Sequence, residues 1–318
     1  MTDQPQRQTP SAVLMVRPAG FGFNEETAGT NVFQTRDPDA TDDQLQKRAE
    51  QEFDGLVTVL RDADVDVIVI QDTPEPRTPD AVFPNNWVSF HEDGKVIIYP
   101  MFALVRRAER RRDVIETLET TYGFEVSQVV DLTAYEEKGE FLEGTGSLIF
   151  DYPNRCSYAN LSPRTDRDVL GELTGLLGHD LVTFHATDAQ GIDVYHTNVV
   201  MSIGERFVVI SADAIDNPTE RTAVLDRLRS TGRELVLIDR DQMGHFAGNV
   251  LEVETREGAK VLVMSSQARG SLDAGQIRAL GKHARIVSAP IPTIERVEGG
   301  SARCMLAGVH LPRRRVLD

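Results

Sequence analysis

A thiol at Cys304, an imidazole at His196 and a carboxylate at Glu143 are the side chains of this sequence that together could attack and hydrolyse an electrophilic carbon. Cys304 follows the segment VEGGSAR at 297–303, where Gly299 and Gly300 form a turn free of side chains and Ser301 and Ala302 keep it narrow. The thiol therefore stands where a small ligand can reach it. A free cysteine taken alone is most often a small buried hydrophobe, so this one needs an activating partner. His196 can stabilise a thiolate and then give or take a proton, while Glu143 can orient the imidazole or hold the substrate. Each of the three alone would read as structural, and what joins them is their place in a repeat.

The elements that must position them recur in one order: strand, turn, strand, helix, strand. The first set is 86–90, 95–100, a basic helix over 106–122 and 126–132. The same order returns at 146–150, 156–161, 164–177 and 181–184, then at 198–203, 207–211, 218–231 and 234–238, and again at 249–254, 260–265, 271–283 and 285–288. A last unit begins at Cys304, and its missing helix and strand are supplied by residues 42–70; a short buried strand at 12–17 precedes them. A period of about 50 to 60 residues signals a ring or array of supersecondary units. The expectation is an α/β fold, a five-bladed α/β-propeller of pseudo-fivefold ββαβ repeats around a central site, closed by the N-terminus so that no sheet edge is left. Residues 12–318 form one domain in this reading, and the polar, proline-bearing residues 1–11 form a disordered tail. The hairpin starts then meet near the axis: Asn86, Glu143 to Gly146, His196 to Asn198, Gly248 with Asn249, and Arg303 with Cys304.

Composition narrows the function. The 318 residues carry a formal net charge of −16, which opposes general affinity for nucleic acid or anionic membranes, and the acidity reads as a solvated surface. Two cysteines make no disulfide framework, no secretory start precedes the first strand, and the longest apolar run, 96–105, is about half the ~20 residues of a membrane span. A cytoplasmic protein acting on a small molecule is expected, with homo-oligomerisation left open. No His/Cys cluster has metal-ligand spacing and no glycine-rich phosphate loop follows a strand, so neither metal nor organic cofactor is expected. Cys156 reads as structural, the run RRAERRR at 106–112 as a solvated helical face, and His245 and His310 as weaker neighbours of the mouth.

At FLEG (141–144), His196-x-Asn198 and GG-x-x-RCM (299–305) the chain resembles the guanidino-group-modifying superfamily of pentein fold, which includes arginine deiminases, dimethylarginine hydrolases and amidinotransferases. The resemblance implies Cys304 as nucleophile, His196 as general acid and base, and Glu143 as partner of substrate and histidine. Two departures carry information. Arginine deiminases have aspartates at the positions of Asn86 and Asn198, where they grip the cationic guanidinium. A carboxylate only accepts hydrogen bonds, whereas a carboxamide donates and accepts without charge, which suits a neutral ureido group. With NEET (24–27), NVFQ (31–34) and FPNNW (83–87), the chain looks most like the citrulline-utilisation hydrolase branch, whose implied reaction takes citrulline and water to ornithine, carbon dioxide and ammonia. The alternatives are an arginine deiminase, a dimethylarginine hydrolase, a succinylarginine dihydrolase or an amidinotransferase of the same fold, and more remotely a non-catalytic pentein binding module. For the amino-acid end of the substrate, Arg303, Arg17 and Arg36 are candidate carboxylate partners, and Asn31 and Gln34 candidate polar contacts on a loop over the site.

Overall fold

The computed structural model describes residues 6–314, and its strands arise from short runs rich in β-branched residues, which favour an extended and buried backbone. They are β1 (Ala12–Arg17), β2 (Val67–Gln71), β3 (Val88–Phe90), β4 (Lys95–Ile98), β5 (Gln128–Asp131), β6 (Leu148–Asp151), β7 (Cys156–Asn160) and β8 (Asp180–Phe184). The second half supplies β9 (Met201–Ile203), β10 (Phe207–Ile210), β11 (Glu234–Leu237), β12 (Leu251–Glu254), β13 (Lys260–Ser265), β14 (Arg285–Ala289) and β15 (Ala307–Val309). Pairing follows one scheme throughout. A first strand lies antiparallel to a second, and the second lies parallel to a third, in β3-β4-β5, β6-β7-β8, β9-β10-β11 and β12-β13-β14. The C-terminal β15 lies antiparallel to the N-terminal β1, which lies parallel to β2. These strands make three three-stranded sheets and one six-stranded sheet, ordered β2-β1-β15-β3-β4-β5, because Val309 of β15 pairs with Phe90 of β3 and joins two triplets edge to edge.

A parallel pair needs a long crossover, and each triplet carries a helix there. Asp42–Asp62 is the longest: Leu45, Ala49, Phe53, Leu56, Val57 and Leu60 recur at helical spacing and are buried, and Thr41 with Gln44 forms a capping box. Arg112–Thr120, Arg167–Leu177, Pro218–Ser230 and Ala274–Gly281 fill the other crossovers. The helix expected over 106–122 is divided, with a 3-10 turn at Val105–Glu109 before Arg112–Thr120.

The first strands start about two residues later than their sequence pattern suggests, because the residues ahead of them coil. Gly146 and Ser147 donate their backbone N–H to Glu143 O at 3.0 and 3.1 Å, and Val199 donates to His196 O at 3.3 Å. The single turns Pro84–Asn86, Gly144–Ser147 and Thr197–Val200 are the result, and Cys304 sits in a similar turn through its N–H to Ser301 O at 2.9 Å. Gly144 has φ +45°, and a Cβ there would lie 2.3 Å from Asn85 O, so this turn requires glycine.

Residues 1–5 of the expected tail lie outside the described residues. Residues 6–11, by contrast, are held in place. Gln8 donates to Phe150 O and Ile203 O at 2.9 and 3.1 Å and accepts from Tyr152 N at 3.1 Å, bridging two triplets, while Thr9 is buried and Pro10 O accepts from Glu254 N at 3.0 Å. Strand-end backbone groups need partners, and this carboxamide supplies them.

Candidate active site

The coiled turns ahead of β3 and β9 and the turn at Cys304 bring chain-distant side chains to one narrow pocket, and the turn ahead of β6 places Glu143 behind His196, outside the pocket wall. The cavity is only about 10 Å³, and its walls include Asn86, His196, Cys304 and Arg106. Cys304 is buried, and its Sγ receives the carboxamide N–H groups of Asn198 and Asn249 at 3.4 and 3.3 Å. Two neutral donors aimed at the sulfur can share the charge of a thiolate without forming an ion pair that would have to be broken during reaction.

His196 donates from Nε2 to Glu143 Oε2 at 2.9 Å, with both side chains shut off from water. Burial, the leading influence, pulls the imidazole down to about 4 against the raising effect of Glu143. Glu143 also feels burial most strongly, but Arg164, the His196 hydrogen bond and Arg106 outweigh it and hold the carboxyl well below the usual range. At neutral pH the pair is therefore a neutral imidazole bonded to a carboxylate, with Nδ1 left as the basic atom. Gly146 packs against that ring. A Cβ there would come within 2.7 Å of His196 Nδ1 and 2.5 Å of Asn86 Nδ2, so glycine is what lets the two side chains approach.

The titration of His196 has a direct consequence. Its base form survives down to about pH 4, so kcat/KM should hold as pH falls through the usual histidine range and drop only as His196 protonates near 4. Glu143→Gln removes a partner that raises the imidazole and should move that limb lower still. A pH–rate profile whose acid limb stays at the ordinary histidine value in both enzymes would contradict this arrangement.

A charged shell that the sequence did not reveal surrounds the triad. Arg106 is 2% exposed, so the expectation of a solvated face fails for this residue. Its Nε and Nη2 grip Glu109 in a fork at 2.9 Å each, and Nη1 donates to Asn86 Oδ1 at 2.9 Å. Asp80 and Glu143 lie 3.7 and 3.8 Å from its guanidinium. The 3-10 turn causes this, because residues three apart eclipse one another and aim Arg106 and Glu109 the same way. Burial works against the charge on Arg106, but Glu109 and Asp80 outweigh it and raise the guanidinium well above its ordinary value. Arg164 is equally buried. It donates to Thr27 O and Thr30 Oγ1, faces Glu143 Oε2 at 3.5 Å and lies over the Tyr195 ring at 4.8 Å. Glu298 completes the pocket wall, raised well above the carboxylate range by burial and by the charge of Asp80.

The fold has counterparts among known proteins. Residues 17–311 match the family model described as N,N dimethylarginine dimethylhydrolase, eukaryotic. The chain belongs to this dimethylarginine hydrolase family. It is thus a hydrolase of carbon–nitrogen bonds other than peptide bonds, within the guanidino-group-modifying pentein superfamily. No curated protein is a significant match to the chain. Among solved structures, the N-terminal domain of ArgZ, an arginine dihydrolase of the ornithine–ammonia cycle in cyanobacteria, captured as a mutant bound to substrate, is 15% identical with a TM-score of 0.70 over 93% of this chain and 96% of that one. Unliganded AgrE is 18% identical with a TM-score of 0.68, covering 96% of this chain but 40% of its own length. A dimethylarginine dimethylaminohydrolase adduct with 4-chloro-2-hydroxymethylpyridine is 14% identical with a TM-score of 0.61 over 93% of this chain and 98% of that one. At these identities the likeness is one of fold.

The remaining candidates of this dimethylarginine hydrolase family member separate clearly. Asn31 lines the pocket and is pinned by its Nδ2 to Glu298 O at 3.0 Å, whereas Gln34 donates to Val297 O at 3.4 Å and fixes the loop from beside the pocket. Gly299, at φ +62°, makes room for that loop, since a Cβ there would lie 2.7 Å from Asn31 Oδ1. Arg303 lines a different chamber from Cys304. Arg17 is engaged by Asp54 at 2.8 Å and Arg36 by Glu25, which leaves both outside the pocket wall. His245 is exposed beside Asp241, and Cys156 is buried with its thiol pushed up by that burial. The metal-capable group found among the described residues, Glu140 with Asp166 and Asp168, lies outside the pocket wall. No helix among the described residues is long and apolar enough to cross a membrane.

Proposed function

We propose that the enzyme hydrolyses the ureido group of L-citrulline to L-ornithine, carbon dioxide and ammonia through an S-carbamoyl intermediate on Cys304. The observation that carries this reading is the state of the two asparagines. Asn86 spends its Oδ1 on Arg106 and leaves Nδ2 buried without a partner, while Asn198 spends its Nδ2 on Cys304 and leaves Oδ1 buried without one. One free donor and one free acceptor match a carbonyl and an amide of a ureido group, and an unmet buried polar atom is costly enough to select for such a ligand.

In the proposed reaction the Cys304 thiolate adds to the ureido carbon, its proton having passed to His196. Collapse breaks the bond to the substrate nitrogen, His196 returns the proton to that nitrogen, and ornithine leaves. His196 then takes a proton from water, the hydroxide attacks the S-carbamoyl carbon, and the thiolate departs from carbamic acid, which falls apart to carbon dioxide and ammonia. Glu143 supports the imidazolium that forms at each step. We infer as well that the five strand triplets close as a propeller with this pocket on its axis. Asn86, Glu143, His196, Asn249 and Cys304, each at the head of a different triplet, support that geometry.

A second reading is favoured by charge. Arg106 and Arg164 face Asp80, Glu109 and Glu143 in one shell, and although burial raises Glu109 to about 8, carboxyl groups in this number also suit a guanidinium. The purified enzyme, offered citrulline, arginine and N,N-dimethylarginine separately, distinguishes the two by the mass of the amino-acid product. Ornithine from citrulline with the other two inert is the expected result. Arginine or its dimethyl form converted while citrulline stays untouched would overturn the ureido assignment.

A further inference from the structure

We propose that the chamber lined by Arg303 binds one small monovalent anion, a planar oxyanion of the bicarbonate or nitrate type or a halide. This chamber is a cavity of about 40 Å³, separate from the pocket of Cys304. The first strand of every triplet contributes to its wall, and Gln8, Tyr152 and His310 border it. His310 also borders an outer groove with Arg7 and Arg313.

The argument starts from an unmet charge. Arg303 is 8% exposed, yet among the described residues no acceptor holds its guanidinium, and its Nε is buried without a partner. A buried guanidinium normally sits against a carboxylate, as Arg233 does here with both oxygens of Asp151 at 2.8 and 2.9 Å. Because Asp151 is chelated in this way, its charge is already spent. Burial draws Arg303 down to about 10, so it remains a cation at neutral pH.

Among the described residues no carboxylate lines the chamber, and the anionic form of the neighbouring Cys304, outside its wall, offsets the burial of Arg303 only in part. Tyr152 is raised by burial and stays a neutral phenol. Burial likewise lowers His310 to about 3 and His91 to about 4, so both rings are neutral. Ser202 lines the chamber with a buried hydroxyl that has no partner. One planar fork and a free hydroxyl, set among neutral polar groups such as Tyr152 and His310 and apolar ones such as Phe150 and Leu251, suit a single compact anion. A dianion would be left half-neutralised in a chamber with one cation, and a bulky organic anion would have to displace the strands.

The experiment compares bromide, nitrate and bicarbonate with gluconate, which is too large to enter, at fixed ionic strength. In thermal melts of the whole chain the small anions should raise Tm saturably over gluconate, and a bromide-soaked crystal should show an anomalous peak beside the Arg303 guanidinium. Arg303→Met should abolish the difference between bromide and gluconate. Should that variant fail to fold, Ser202→Ala, which removes only the free hydroxyl, should weaken the nitrate effect. Equal melting in bromide and gluconate, a bromide peak absent from this chamber, or an anion effect that survives Arg303→Met would overturn the proposal.

Discussion

Cys304→Ala should lose turnover by about 10⁴-fold or more, the scale on which removing a covalent nucleophile from a preorganised site acts, while the protein stays folded. The thiol is 2% exposed and packs in the core that includes Ile294, Val297 and Leu306, so trimming one sulfur costs only the cavity it leaves. That cost is about 1 kcal/mol, which a urea titration followed by circular dichroism resolves easily. Cys304→Ser should be nearly as inactive despite its similar shape, because a hydroxyl at this site has no neighbour shown to deprotonate it fully. The two variants together separate chemistry from packing: a serine enzyme with substantial activity would mean that the sulfur is not the attacking atom.

The second large effect falls on stability. Arg106→Met should destabilise the fold by about 3–5 kcal/mol, the usual consequence of leaving buried charges without their partner. The methionine fills similar space, but Glu109 loses its fork, Asp80 and Glu143 lose the cation that lies 3.7 and 3.8 Å away, and Asn86 Oδ1 loses its donor. Equilibrium unfolding measures the loss, and Arg106→Met with Glu109→Leu should recover part of it, since two apolar groups in contact strand one carboxylate fewer. A single variant as stable as the parent would show that the shell is not an interlocked network.

The order of strands and helices was legible because hydrophobic periodicity and turn residues are local signals. Phe207–Ile210 and its glycine-led turn, for example, announce a hairpin without reference to the rest of the chain. The meeting of the three candidate residues was legible for a related reason. Cys304, His196 and Glu143 each stand at the head of a strand triplet, and a regular pattern of hairpins converts sequence position into a common place in space. The joining of two triplets through Val309 and Phe90 was not legible, since a single bridge between strand edges leaves no trace in either segment.

Arg106 shows what hid the charged shell. A run of basic residues reads as a solvated helix, and only the 3-10 turn, with its break before Arg112, sends Arg106 and Glu109 inward. The trace that was present is the Arg–Glu pair three residues apart inside an otherwise basic run. Arg164 had no comparable signal, because its partners Thr27, Thr30 and Glu143 come from remote segments. Gln8 was missed for the opposite reason. Its polar, proline-flanked surroundings resemble a tail, and its role depends on backbone groups of two different triplets.

The covalent step is the centre of the account, and a single-turnover quench tests it most directly. Citrulline labelled at the ureido carbon is mixed with excess enzyme, stopped in acid within one turnover, and the digested protein is mapped for label. The account predicts label on the peptide that contains Cys304, and none in Cys304→Ala. Ornithine released at the normal rate from a protein that never carries the label would contradict it.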